Sequence, residues 1–104
     1  MKVTEVVYTA QDQASQTADW IRLKMTLERQ GVDVSPTETF EGESKFMNGR
    51  AWLMQAEYEQ VDADALRVEA FDLEVPSHVL SVNGHPFNIP LTGSNQTRTY
   101  RFQL

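Results

Sequence analysis

The chain has 104 residues, of which 40% are hydrophobic and 23% are charged, a composition typical of a globular domain and not of a disordered tail. It has no cysteine, which excludes disulfide bonds, thiolate catalysis and cysteine-ligated zinc or iron–sulfur sites. The formal net charge is −6 and all 15 carboxylates lie between Glu5 and Glu74, which disfavours nucleic-acid binding over most of the surface.

The first third of the chain predicts a strand followed by a helix. Residues 2–10 are rich in β-branched and aromatic side chains, which favours a strand. Asp12 can cap a helix over 13–30, and Gly31 suits the position just beyond its end. On this helix, one apolar stripe holds Ala18, Ile21 and Met25, and a second stripe on nearly the opposite side holds Trp20, Leu23 and Leu27.

The two stripes raise the question of what covers the second one, because a helix on its own sheet needs a single apolar stripe. We assign the Trp20 stripe to the sheet, since its side chains are larger. The stripe of Ala18, Ile21 and Met25 is then a candidate interface. Either the chain's own segment 32–40 covers it, or a partner protein or a second copy does, and a symmetric homodimer would bring the stripe against its own copy.

The remaining two thirds predict antiparallel strands. Two Asn-Gly pairs, 48–49 and 83–84, are typical of type I′ hairpin turns, in which both central residues need positive φ. Pro86 and Pro90 favour an edge position for their strand. We predict one α+β domain over 1–104, with a single N-terminal helix packed on a curved, mainly antiparallel sheet of about six or seven strands. The predicted strands after the helix are 37–47, 50–61, 66–75, 78–82, 85–91 and 97–104.

An acidic face follows from the register expected for a hairpin with its turn at 62–65. With Val61 opposite Leu66, the core face would hold Trp52, Met54, Ala56, Tyr58, Phe71, Leu73 and Val75. The opposite face would then hold four carboxylates with no cation among them: Glu57, Glu59, Asp72 and Glu74. This face is either a solvated surface or a docking surface for a partner rich in arginine and lysine. A divalent-cation site is disfavoured because flat strands do not wrap enough oxygens around the ion, and a catalytic Glu57/Asp72 pair would need a cleft.

No pattern in the sequence predicts a catalytic, metal or cofactor site. His78 and His85 are the only histidines, and in the predicted hairpin they stand too far apart to bind one metal ion. Phosphate-binding, dinucleotide-binding and hydrolase motifs are absent from the sequence. Tyr100 and Phe102 alternate with Arg101 but point the same way as Leu104, which favours a core role over nucleic-acid binding.

The leading functional hypothesis is a small acidic, non-catalytic interaction module that docks on a basic protein surface, as an inhibitor, immunity or accessory factor. One alternative is a structural subunit of a symmetric homo-oligomer or of a viral or multi-protein assembly. Another is an enzyme or ligand-binding protein without a recognisable motif. Because the sequence has neither a signal-peptide pattern nor an apolar run of ~20 residues, we expect no membrane association and a cytoplasmic location, bacterial or viral.

Overall fold

The computed structural model describes residues 1–11, 20–43, 51–74 and 78–104, and these form β-strands and no helix. The predicted α+β fold is therefore wrong, because the described part of the chain is all-β. No described segment is a helix long and apolar enough to cross a bilayer. The strands are β1 (Lys2–Gln11), β2 (Trp20–Arg29), β3 (Val32–Asp33), β4 (Glu38–Glu43), β5 (Ala51–Asp62), β6 (Ala65–Phe71), β7 (His78–Val82), β8 (His85–Asn88) and β9 (Thr97–Gln103).

These strands build two antiparallel sheets that pack face to face. Sheet A has the strand order β5-β1-β7-β8, and sheet B has the order β3-β2-β6-β9, with β4 also paired to β2. One hydrophobic cluster joins the inner faces, with Tyr8 and Leu80 from sheet A and Leu23 and Leu66 from sheet B, and each of these side chains is fully buried. The architecture is a β-sandwich whose core lies between the two sheets.

The segment predicted as the second half of a helix is the central strand β2. Its aliphatic residues stand at every second position, which is the period of a strand, and all of them are buried; Thr26 and Glu28 on the other face are buried as well. Gly31 does not end a helix: Gln30 and Gly31 have φ of 52° and 79° and form the tight turn that leads from β2 to β3. The start of the predicted helix, 13–19, and its capping residue Asp12 lie outside the described residues. The buried side chains of alternating positions are Ile21, Leu23, Met25 and Leu27, none more than 2% exposed.

The hairpin predicted to join 50–61 to 66–75 does not form, because β5 pairs with β1 in sheet A and β6 pairs with β2 and β9 in sheet B. The chain changes sheets at two consecutive residues. Ala63 N donates to Met1 O at 2.9 Å, and Asp64 N donates to Glu28 O at 2.9 Å. The connector therefore satisfies one backbone amide in each sheet, which a hairpin turn would not do.

The predicted core face of that hairpin is correct on β5 and wrong along β6, where the inward side chains are Leu66, Val68 and Ala70, each fully buried. Phe71 lies on the outer face of sheet B, opposite Arg22, whose guanidinium carbon is 5.2 Å from the ring centroid. The Trp52 side chain and Val75 lie outside the described residues. The predicted core residues that do contact the core are Met54, Ala56, Tyr58 and Leu73.

The hairpin at Asn83-Gly84 is confirmed with its register. Val82 pairs with His85 and Leu80 pairs with Phe87, and φ is 50° at Asn83 and 85° at Gly84, as a type I′ turn requires. The Asn83 side chain also holds β1, since its amide accepts from Thr4 N at 2.9 Å. The other predicted turn, 48–49, lies outside the described residues.

Candidate functional site

The outer face of sheet A carries a continuous patch of uncharged side chains, which we call the neutral face. Val6 and Tyr8 are fully buried, so their neighbours Val7 and Thr9 point outward. Two rows of outward side chains cross β5, β1, β7 and β8, since directly paired residues share a side of the sheet. Leu53 is 64% exposed. The neutral face consists of Val7, Thr9, Leu53, Gln55, Val79, Ser81, Pro86 and Asn88.

Carboxylates line one end of the neutral face. Glu5 pairs directly with Glu57, and Glu57 and Glu59 are exposed. Within the described ranges, none of the three has an ion-pair partner, and Glu57 accepts a hydrogen bond only from Gln55 Nε2, at 3.1 Å. Like charges directly opposite each other across two strands are destabilising. We call Glu5, Glu57 and Glu59 the acidic border.

The acidic face predicted from the sequence is not one surface. Glu57 and Glu59 lie on β5 in sheet A, whereas Asp72 and Glu74 follow β6 of sheet B. Asp72 is only 3% exposed, and its carboxylate accepts a hydrogen bond from Asn95 N at 2.6 Å. The expectation that Asp72 stays in water is therefore wrong: it has φ of 64° and stabilises the turn before β9. Glu74 is exposed but does not share a strand pair with the acidic border.

The described residues of the predicted interface stripe are not on the surface in this fold. Ile21 is 2% exposed and Met25 is fully buried, because both point from β2 into the core. Both side chains are therefore covered within the chain, which is the intramolecular alternative of the prediction. Ala18, the third residue of that stripe, lies outside the described residues.

The outer face of sheet B differs from the neutral face because it carries a network of ion pairs within the chain. Glu28 is 2% exposed and receives hydrogen bonds from Arg101 Nε at 2.7 Å and from Arg67. Arg67 also binds Asp33, at 2.8 Å. The hydrogen bond from Arg101 is the main cause that lowers the pKa of Glu28 below its usual range; burial partly opposes it, and Arg67 reinforces it. This network stabilises the sheet, and its arginines already pair with the carboxylates of Glu28 and Asp33.

A buried polar pair lies in the core between the sheets. The Tyr8 hydroxyl and His78 Nδ1 are 2.7 Å apart, and the Tyr8 ring lies 6.1 Å from Phe40 and 6.0 Å from the His78 ring. Burial raises the pKa of the Tyr8 hydroxyl above its ordinary value. Because Tyr8 is fully buried and His78 is 2% exposed, the pair forms a hydrogen bond within the core. His85, beside the turn, is exposed.

The described part of the chain holds no group of three or more histidine, aspartate or glutamate side chains arranged to bind a metal ion. Sequence reasoning missed Glu5 and Leu53 as surface residues of interest. The alternation along β5 predicts that one set of its side chains points to solvent. That set is Leu53, Gln55, Glu57 and Glu59. No local sequence pattern predicts that β5 pairs with β1, which lies about fifty residues earlier in the chain.

Comparison with known proteins gives no relative: no protein-family model matches the chain, and neither a curated protein sequence nor a solved structure shows significant similarity to it.

Proposed function

We propose that this protein is a non-catalytic interaction module that docks on a basic protein, with the neutral face and the acidic border as its contact surface. The observation that carries the proposal is the direct pairing of Glu5 with Glu57 beside a surface without charged side chains. Stable interfaces commonly combine an apolar or neutral centre, depleted in charge, with a polar rim.

The two outer faces of the sandwich differ in what they offer a partner. On sheet B, Glu28 and Asp33 already bind arginine side chains. On sheet A, the carboxylates of the acidic border repel one another, and a lysine or arginine from a partner would relieve that repulsion. Charge complementarity of this kind raises association rates and selects the partner. The partner surface that fits is therefore an apolar patch flanked by cations.

The contact surface predicts opposite effects of one substitution on folding and on binding. Glu57→Gln removes a like-charge pair, so we expect the isolated protein to gain up to about 1 kcal/mol of stability. The same substitution removes one charge from the border and should weaken binding. A purely solvating role for Glu57 would give no such loss of binding.

The experiment is affinity capture from the native host, followed by titration of the purified partner by calorimetry. Glu57→Lys combined with Glu59→Lys should weaken binding by about tenfold or more, which is ~1.4 kcal/mol, and binding should weaken as salt is raised. Glu69→Lys is the control for Glu57→Lys alone, because it makes the same change of charge at an exposed carboxylate on sheet B. Equal affinity of the double variant and the wild type would refute the role of the acidic border.

Leu53 tests the neutral face separately. Leu53→Asn removes an exposed apolar side chain without changing the charge, so it should leave the fold intact and reduce binding without changing the salt dependence of what remains. Full binding by this variant would remove the neutral face from the contact surface. We also propose a cytoplasmic location, which the absence of cysteine from the sequence favours.

A further inference from the structure

The free edge of β9 is the least protected edge among the described strands. Natural sheets block their edges with prolines, bulges, charges or very short strands. β8 spans four residues and contains Pro86, and β3 spans two residues. β5 has a register shift opposite Val3 and Glu5, and β4 carries several glutamates. β9 instead pairs with β6 through seven consecutive residues without a break.

The hydrogen bonds at the two ends of β9 identify which of its backbone groups are free. Asp72 N donates to Gln96 O at 3.0 Å, and Leu104 N donates to Asp64 O at 2.9 Å. Backbone bonds in an antiparallel pair recur at every second residue, so the even-numbered residues of β9 bond to β6. The odd-numbered residues point their N–H and C=O groups away from the sheet. These residues are Thr97, Thr99, Arg101 and Gln103, and all four are exposed.

The core is also incompletely covered along this edge. Tyr100, Phe102 and Leu104 point inward from β9, yet they are only partly buried. The ring of Phe102 lies 5.4 Å from Phe87 of β8, so an aromatic pair closes the sandwich at its margin. An additional strand beside β9 would place alternate side chains against these residues and complete their cover.

We propose that β9 pairs with β9 of a second copy across a two-fold axis, with Tyr100 opposite Tyr100 of the other protomer. Odd-numbered residues must then face odd-numbered residues, because they carry the free backbone groups. In this register Thr97 lies opposite Gln103 and Arg101 lies opposite Thr99. The register centred on Arg101 is disfavoured, since it sets two arginines directly against each other.

Charge favours a second copy over another protein at this edge. The chain has a net charge of −6, and its residues 75–104 contain no carboxylate, so β9 is where two copies repel each other least. The Arg101 charge is already balanced by Glu28, at 2.7 Å. Arg98 Nε donates to Thr92 O at 3.4 Å. An acidic partner is therefore not required to neutralise Arg101 at this edge.

The first test is the mass in solution. Sedimentation from about 1 μM to 1 mM protein should show a species of twice the 11.9 kDa chain mass. Thr99→Pro should abolish it, because the Thr99 N–H points outward and its loss breaks no bond to β6. Thr99→Ala keeps that N–H and should still dimerise. A monomer throughout the range, or a dimer that survives Thr99→Pro, overturns the proposal.

The second test is a disulfide cross-link that determines the register of the two β9 strands, independently of the proline variant. The chain has no cysteine, so Thr97→Cys with Gln103→Cys introduces the only thiols. Opposed residues have Cα atoms ~5.5 Å apart, within disulfide range, and the double variant should form a covalent dimer on oxidation. Each single variant should not, since equivalent residues then stand about 20 Å apart. Absence of the cross-link in the double variant, under conditions where the mass shows a dimer, refutes this register.

The third test is hydrogen exchange on the wild-type protein, which measures the protection of each backbone amide of β9. The amides of Thr97, Thr99, Arg101 and Gln103 should gain protection as protein concentration rises, while the even-numbered amides of β9 stay protected at every concentration. Protection of the odd-numbered amides that appears only when a different protein is added would assign the edge to that protein and overturn self-pairing.

Discussion

Met25→Ala is the substitution that most directly tests the alternation of β2. The Met25 side chain is fully buried, whereas Trp20 on the same strand is 45% exposed. Truncating a buried methionine to alanine leaves a cavity and costs about 2–5 kcal/mol. That is a large fraction of the roughly 5–15 kcal/mol that stabilises a typical domain. Trp20→Ala removes a partly exposed ring and its surface hydrogen bond to Glu41, at a cost of about 1–1.5 kcal/mol.

Thermal unfolding followed by circular dichroism measures both costs. Because about 1 kcal/mol shifts the melting temperature of a domain this size by roughly 4–8 °C, Met25→Ala should melt at least about 8 °C below the wild type. The loss should not depend on protein concentration, since the burial is within one chain. The reverse order, a near-neutral Met25→Ala and a costly Trp20→Ala, would favour the helical interpretation and refute the strand.

Three further substitutions test contacts on other elements. Tyr8→Phe removes the hydroxyl that bonds His78 Nδ1 and should cost about 1–3 kcal/mol in urea unfolding. Glu28→Gln should cost roughly 1–2 kcal/mol at pH 7, a value discounted because the Arg101 side chain is 56% exposed. Since the pKa of Glu28 is lowered in the fold from 4.5, its carboxylate stabilises above that pH, and the difference between variant and wild type should shrink as the pH falls below it. Asn83→Ala should cost about 1–3 kcal/mol, because Asn83 adopts φ of 50° and its amide bonds the β1 backbone at 2.8 Å.

The sequence predicted the local elements better than their pairing. The β7–β8 hairpin follows from Asn83-Gly84, because a two-residue turn dictates both its own geometry and the register beside it. β1 and β9 follow from β-branched, aromatic or alternating residues. These signals act over a few residues, so a single sequence contains them in full.

β2 shows why the fold class could not be predicted in the same way. Leucine, methionine, lysine, glutamate and arginine are good helix formers, and their order in this segment satisfies a helical wheel with two apolar stripes. The same residues satisfy a strand with one apolar face at 21, 23, 25 and 27. Tertiary packing decides between the two, since only the strand lets all four side chains reach one core.

The residues of the candidate site could not be predicted in full either, because strand pairing decides which side chains share a surface. Glu57 and Glu59 were predicted as exposed carboxylates from the alternation within β5, and they are exposed. Their neighbour Glu5 comes from β1, and Asp72 turns inward after β6, because the short connector at 63–64 crosses between sheets. A hairpin and a sheet-crossing connector of this length have similar composition, so residue types alone did not distinguish them.

The connector at 63–64 has a consequence for how this chain can be rearranged. Met1 N donates to Ala63 O at 3.0 Å, and Leu104 N donates to Asp64 O at 2.9 Å. Residues 1 and 104 therefore converge on two adjacent residues, whose Cα atoms stand ~3.8 Å apart. A short peptide could join them, and a cut placed in another surface loop would give a circular permutant that keeps every strand ladder intact.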